Sequence, residues 1–221
     1  FDQAINGLSR TDDRYQLALT LARRANAYRM LGRYGESIQD ADRALELSQT
    51  KEKFPDLIAA ALQMKGESFF RQGQIHDAAA ITEKAVQSFD RIQDEKGVST
   101  TQVTLGMIYR AMGDLGRAKQ LYNQALEFLQ KEGDIASQSG LLNNLSVLHH
   151  QEGEYELALR HLDESLELSR QTGDARMQAL VHASLGDIYE EIEDFELADQ
   201  AHNYTESYAR QANARFLLHY S

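Results

Sequence analysis

No cysteine and no tryptophan occur in the 221 residues, and there is a single proline. Without cysteine the chain can form neither a disulfide framework nor a thiolate metal site, and the composition fits a reducing, cytoplasmic setting. Positive charge is scarce. Lys and Arg total 23 against 34 Asp and Glu, for a net charge of −11. An acidic chain is a poor general binder of nucleic acid or of anionic membrane, and "KEKF" at Lys51–Phe54 is too short to form a basic patch. No apolar run approaches the ~18 residues that mark a membrane span. There is no signal peptide and no initiating methionine. Phe1-Asp2-Gln3-Ala4 already follows a helical pattern, so the chain reads as a piece of a longer protein. No phosphate loop, nucleophile elbow or zinc-helix motif is found.

What the sequence has instead is a repeat. "LGMIYRAMGDLGRAKQLYNQAL" from Leu105 aligns with "RANAYRMLGRYGESIQDADRAL" from Arg24 and "KGESFFRQGQIHDAAAITEKAV" from Lys65. It aligns equally with "LSVLHHQEGEYELALRHLDESL" from Leu145 and "LGDIYEEIEDFELADQAHNYTE" from Leu185. A small residue recurs in second place, as Ala25, Gly66, Gly106, Ser146 and Gly186, at steps of 41, 40, 40 and 40. Five copies at a nearly constant period predict an array of like structural units.

Each copy predicts two helices, A and B. Helix A ends near Gly32, Gly73, Gly113 or Gly153, where glycine takes a left-handed turn at low cost. Asp114 is placed to cap a B helix, and Asp134 and Asp174 to cap the next A helices. Pro55 falls in the first turn of the second A helix, where proline is tolerated. The extra residue of the 41-step falls in the loop around Thr50–Phe54.

Glycine inside a helix costs roughly 1 kcal/mol relative to alanine. Gly66, Gly106 and Gly186 are therefore expected at close A–B contacts. Small residues recur on B too: Ala78, Ala118, Ala158 and Ala198, then Ala44, Ala85, Ala125 and Ser165. Larger residues should fill the gaps: Tyr28, Phe69, Tyr109 and Tyr189 on A, and Tyr34, Ile75, Leu115, Tyr155 and Phe195 on B.

These features resemble the tetratricopeptide repeat (TPR), with its L-G-x2-Y and A-x3-F pattern, in a variant of about 40 residues rather than about 34. The tryptophan position of that pattern holds Leu21, Leu62, Gln102, Leu142 and His182, and its leucine position is charged in Arg24 and Lys65. The long variant resembles the Pins/LGN polarity adaptors in "NAYRMLGRY" and "GDIYEEIEDFELA". It resembles the kinesin light chains in "NNLSVLHHQEGEYELAL", and also the sensor region of bacterial ATPase regulators of the maltose-activator type. The implied fold is all-α, a right-handed α-α superhelical solenoid of helix-turn-helix repeats. One array would span 1–221: the end of a preceding B helix over 1–14, repeats over 15–53, 54–93, 94–133, 134–173 and 174–213, and a partial repeat or cap over 214–221.

The resemblance implies a non-catalytic interaction module that binds a peptide or helical segment in a concave groove lined by A helices. The alternative is a ligand- or peptide-sensing domain of a bacterial multidomain regulator. Helical spacing predicts the groove residues as Asn26, Arg29 and Met30; Gln63, Glu67, Phe70 and Arg71; Met107 and Arg110; and Asn143 and His150. Arg29, Arg71 and Arg110 would pair carboxylates, asparagines would grip backbone, and Met30, Phe70 and Met107 would give apolar contact. The expected partner is a protein or peptide, acidic with apolar anchors. The same arginines can instead bond within the array. Copy five is acidic, with Asp187, Glu190, Glu191, Glu193 and Asp194. His149, His150 and His161 read as packing or groove histidines, so neither metal nor cofactor is expected. Repeat ends, such as Phe216-Leu217-Leu218, could support self-association.

Overall fold

The structure is a computed structural model, and it describes residues 1–49 and 54–212. The loop residues around Thr50, most of the Lys51–Phe54 stretch, the 214–221 segment and Phe216-Leu217-Leu218 lie outside the described residues. Among the described residues there are eleven helices and no strand. They are α1 (Asp2–Leu8), α2 (Arg14–Met30), α3 (Tyr34–Ser48), α4 (Pro55–Arg71), α5 (Ile75–Arg91), α6 (Glu95–Ala111), α7 (Leu115–Glu132), α8 (Ile135–Gln151), α9 (Tyr155–Thr172), α10 (Ala175–Glu191) and α11 (Phe195–Gln211). The A helices of the repeat are α2, α4, α6, α8 and α10, and each is followed by its B helix. The chain divides into two compact units, Phe1–Leu121 and Tyr122–Ser221, with the boundary inside α7.

The helix ends follow from a few residue types. Asp13, Asp94, Asp134, Asp174 and Asp194 each accept a backbone N–H from three residues on, in the N-cap geometry. Asp114 does the same for Arg117 N at 3.0 Å. Each cap satisfies one of the donors a helix start leaves open and contributes about 1 kcal/mol. Pro55 sits in the first turn of α4, where no donor is lost. The A–B turn has one form throughout. The amide after the turn residue bonds the carbonyl five residues back, as in Asp114 N to Tyr109 O and Asp194 N to Tyr189 O, both 2.9 Å. The turn residue is left-handed: Gly32, Gly73, Gly113 and Gly153 have φ of +72°, +76°, +81° and +75°. The fifth copy places Glu193 there at +63°, and Gln93 takes the like conformation after α5 at +58°.

The small positions lie where the paired helices meet. In the first unit, Ala25, Ala44, Ala78 and Ala85 are fully buried, and Gly106 is buried in α6. A Cβ on Gly66 would fall inside contact distance of Thr82 Oγ1 on α5. Gly97, at the start of α6, has the ring of Phe89 in the space a Cβ would need. In the second unit, a Cβ on Gly186 would lie 2.6 Å from His202 Cε1 on α11. There α8 and α9 also interlock through serines: Ser139 Oγ donates to Ser165 O at 2.8 Å, and Ser165 Oγ donates to Ser139 O at 2.7 Å.

The charged residues at the leucine position have partners. Arg24 grips Asp40 of α3 with Nε at 2.6 Å and Nη2 at 2.7 Å, and it also bonds Asp2 of α1. Lys65 reaches Asp42 at 2.5 Å. An ion pair thus replaces an apolar contact in these two copies. Phe195 departs from its expected gap-filling role, with 64% of its surface exposed. Its counterpart Tyr155 leans on α10 and donates to Glu191 Oε2 at 3.1 Å. Phe195 has no such neighbour among the described residues, which end 17 residues later.

Candidate interaction faces

Of the residues predicted to line the groove, α2 carries Asn26, Arg29 and Met30, α4 carries Gln63, Glu67, Phe70 and Arg71, and α6 carries Met107 and Arg110. Glu67, one turn before the end of α4, links three of the A helices through Arg29, Arg71 and Thr104. Arg29 Nη1 lies 2.9 Å from Glu67 Oε2. Arg29 Nη2 donates to Asn26 Oδ1 at 2.9 Å and contacts Met30 Sδ at 3.4 Å. Arg29 is therefore held within the array. Its Nε is buried and has no hydrogen-bond partner.

Burial pushes the Glu67 carboxyl above the ordinary carboxylate range, and the charges of Arg29 and Arg71 and a hydrogen bond from Thr104 offset this only in part. Thr104 of α6 escapes a sequence reading, because its hydroxyl meets the face from two positions before the small residue of its own helix. Met30 is 72% exposed. Phe70 is half-buried against the Ala78, Ala79 and Ile108 cluster, so part of its surface already serves packing. Arg110 makes no ion pair among the described residues.

On the second unit, Asn143 of α8 accepts from Ser184 Oγ of α10 at 3.2 Å. His150 Nε2 lies 3.0 Å from Glu191 Oε2, and His202 Nε2 the same distance from Glu190 Oε1. Burial pushes the Asp187 carboxyl up, and the neighbouring Glu190 and Glu191 add to this while His150 and His202 oppose it. Glu191 is held below the ordinary range by the close contact of His150 and the hydrogen bond from Tyr155. Ser184, Tyr155 and His202 complete this face and were not among the predicted groove residues. His149 faces away from it: it is 8% exposed, stacks on His161 with ring centroids 5.2 Å apart, and places Nδ1 2.5 Å from Glu154 Oε2.

The sequence model of the MalT-like TPR region matches residues 18–179. The chain belongs to that family. No curated protein matches the MalT-like array. Among solved structures, BtubC (BKLC) from P. vanneervenii is similar to it at 21% identity and a TM-score of 0.79, over 96% of this chain and 92% of that one. A Rap protein complexed with Competence and Sporulation Factor is similar at 13% identity and a TM-score of 0.72, over 97% of this chain and 68% of that one. A Signal Transduction ATPase with Numerous Domains, with a tetratricopeptide repeat sensor, from Pyrococcus horikoshii is similar at 13% identity and a TM-score of 0.70, over 94% of this chain and 35% of that one. At these identities the likeness is one of fold: an all-α array of TPR-like helix pairs. No helix among the described residues of the MalT-like array is long and apolar enough to cross a membrane.

Proposed function

We propose that this TPR array is a non-catalytic module that docks a peptide or helical segment on the A-helix face of its first unit. The observation that carries the reading is Arg29. Two of its nitrogens are committed to Glu67 and Asn26, and its Nε is buried with a donor unspent. A buried donor without an acceptor costs about 1–3 kcal/mol, and a ligand carbonyl or carboxylate would satisfy it once the Arg29 guanidinium turns its Nε outward on docking. Arg71 acts on the same Glu67, Arg110 adds positive charge on α6, and Met30 and Met107 add adaptable apolar surface. The ligand is therefore acidic with apolar anchors, and the complex forms in the cytoplasm. Asn143 and His150 offer a separate polar face on the second unit. Association of copies through repeat ends is a further part of this reading.

The family match favours a second reading, in which the docked peptide is a signal and the array is the sensor of a multidomain regulator. The relative solved in complex with Competence and Sporulation Factor supports a bound factor as the ligand. A display library of short peptides rich in Asp, Glu, Leu and Phe tests the shared claim. Wild type should select acidic-apolar sequences, and Arg71→Glu/Arg110→Glu should lose them while keeping its helical circular dichroism. Unchanged selection by the double variant would move the site off this face.

A further inference from the structure

One B helix lacks a large side chain that its four counterparts carry. Counted from the small residue of each copy, the position of Ser88 on α5 holds Leu47, Phe128, Leu168 and Tyr208 elsewhere. Leu47 packs against the core cluster around Leu21 and Leu45, and Tyr208 against Ala179 and Ala209. Ser88 has no side chain to fill such a space, and its hydroxyl turns back to Lys84 O at 2.7 Å. Beside it the first unit holds a cavity of about 280 Å³. The walls are Gln49 after the end of α3, Pro55 and Ile58 at the start of α4, and Ser88, Arg91 and Ile92 at the end of α5. Two of these walls are more apolar than their counterparts. Ile58 stands where the fourth and fifth copies carry Gln138 and Gln178, which donate to carbonyls of the preceding B helix at 3.0 and 3.1 Å. Ile92 stands where the third and fourth copies carry Glu132 and Thr172.

We propose that this cavity is a binding site for a small carboxylic acid with a compact apolar body. Ligand pockets are mostly apolar, with a few polar groups that fix orientation, and span roughly 300–1,000 Å³. This cavity has that composition at the lower edge of that size, so it suits a small molecule rather than a peptide segment. The apolar body would take the place of the side chain that Ser88 lacks, against Pro55, Ile58 and Ile92. Arg91 sets the charge. It is exposed, lines the cavity and makes no ion pair among the described residues. No acidic residue is among the lining residues, so an anion meets an uncompensated guanidinium. A guanidinium pairs a carboxylate through two parallel N–H donors, and the Gln49 amide offers a further donor. The site uses the first turn of α4, whereas the peptide face uses Gln63–Arg71 in its second half, so the two readings stand or fall separately.

Methyl NMR of the whole chain, with Ile58 and Ile92 as reporters and phenylpropionate and isocaproate as probes, tests the proposal. Wild type should show saturable shifts of both isoleucine methyls with at least one of the acids. The neutral amide of the bound acid should bind at least about tenfold more weakly, since it forfeits the charge-assisted pair. Ser88→Leu installs the residue found at Leu47 and Leu168. It should fill the cavity, abolish the shifts and raise the melting temperature. Arg91→Gln installs the residue found at Gln171 and Gln211 and should weaken binding of the acid at least about tenfold. Arg71→Glu/Arg110→Glu should bind the acid as wild type does. Absence of saturable shifts with both acids would overturn the site, as would unchanged binding by Ser88→Leu. Equal affinity for acid and amide, or unchanged binding by Arg91→Gln, would overturn the carboxylate as the ligand group.

Discussion

Arg29 on α2 and Glu67 on α4 form an ion pair between neighbouring A helices, 2.9 Å long, with 20% and 18% of the two side chains exposed. The pair joins repeat one to repeat two at the surface proposed for ligand docking. Arg29→Ala would leave Glu67 with only Arg71 and Thr104, and burial already raises its pKa. Losing one partner of a half-buried pair costs about 1–3 kcal/mol. A raised folded-state pKa favours the protonated acid, so the loss should be full above the folded pKa of Glu67 and shrink as pH falls below it. Urea denaturation of wild type and variant at neutral and acid pH checks both the size and the sign.

Gly66→Leu should overpack α4 against α5. Even its Cβ would meet Thr82 Oγ1 and the Thr82 backbone. Overpacking of this kind costs typically about 1–3 kcal/mol. Thermal unfolding that stays at the wild-type midpoint would refute the close contact.

Glu193→Gly should stabilise the second unit. A side chain at φ +63° is strained where four sister turns use glycine. Relief of the left-handed penalty, about 1–2 kcal/mol, is offset in part by the added freedom of the unfolded chain, about 0.4–1 kcal/mol. The expected net gain is several tenths of a kcal/mol, read as a higher denaturant midpoint with an unchanged slope.

His182 should give the fold an acid-sensitive component. It is 6% exposed and stacked on Tyr204 and Tyr208 with centroids 4.8 and 5.7 Å away, and its Nε2 has no hydrogen-bond partner. Burial, with help from Arg170, pushes its pKa down from 6.5 to about 4. A depressed folded-state pKa means that its stabilising contribution is present above 6.5 and is lost as pH falls from there toward 4. His182→Phe keeps the stack and removes the proton. Its melting temperature should fall less than that of wild type between pH 7 and pH 5.

The repeat, the helix pairs and their small contact residues were legible because each is written in local spacing. Gly66 and Gly186 could be assigned to close contacts from periodicity, since five copies repeat the same steric demand. Partners across helices were not legible. Nothing in the spacing of Arg29 says that Glu67 will reach it, because that contact depends on how two A helices stack. The ring of Phe89 against Gly97 was hidden for the same reason. Phe195 was misread because periodicity does not say what covers the start of a B helix: Tyr155 has Glu191 of α10 against it, whereas Phe195 is 64% exposed among the described residues. Arg24 and Lys65 looked like flaws in the pattern until Asp40 and Asp42 appeared opposite them.

The uniform A–B turn has a consequence for changes in chain length. Adding one residue to a helix rotates everything beyond it by about 100°, which would turn the small face of a B helix away from its A partner. The left-handed residue and the five-back hydrogen bond allow no slack to absorb that rotation. Insertions should therefore be excluded from every turn of this form, which includes the B–A junctions at Gln93, Gly133 and Gly173, where the same left-handed residue and five-back hydrogen bond recur. The one change of period in this chain falls at the remaining B–A junction, between α3 and α4. A tag or a fused domain placed there should leave the helix pairs on either side intact, whereas the same insertion at Gly113 should not.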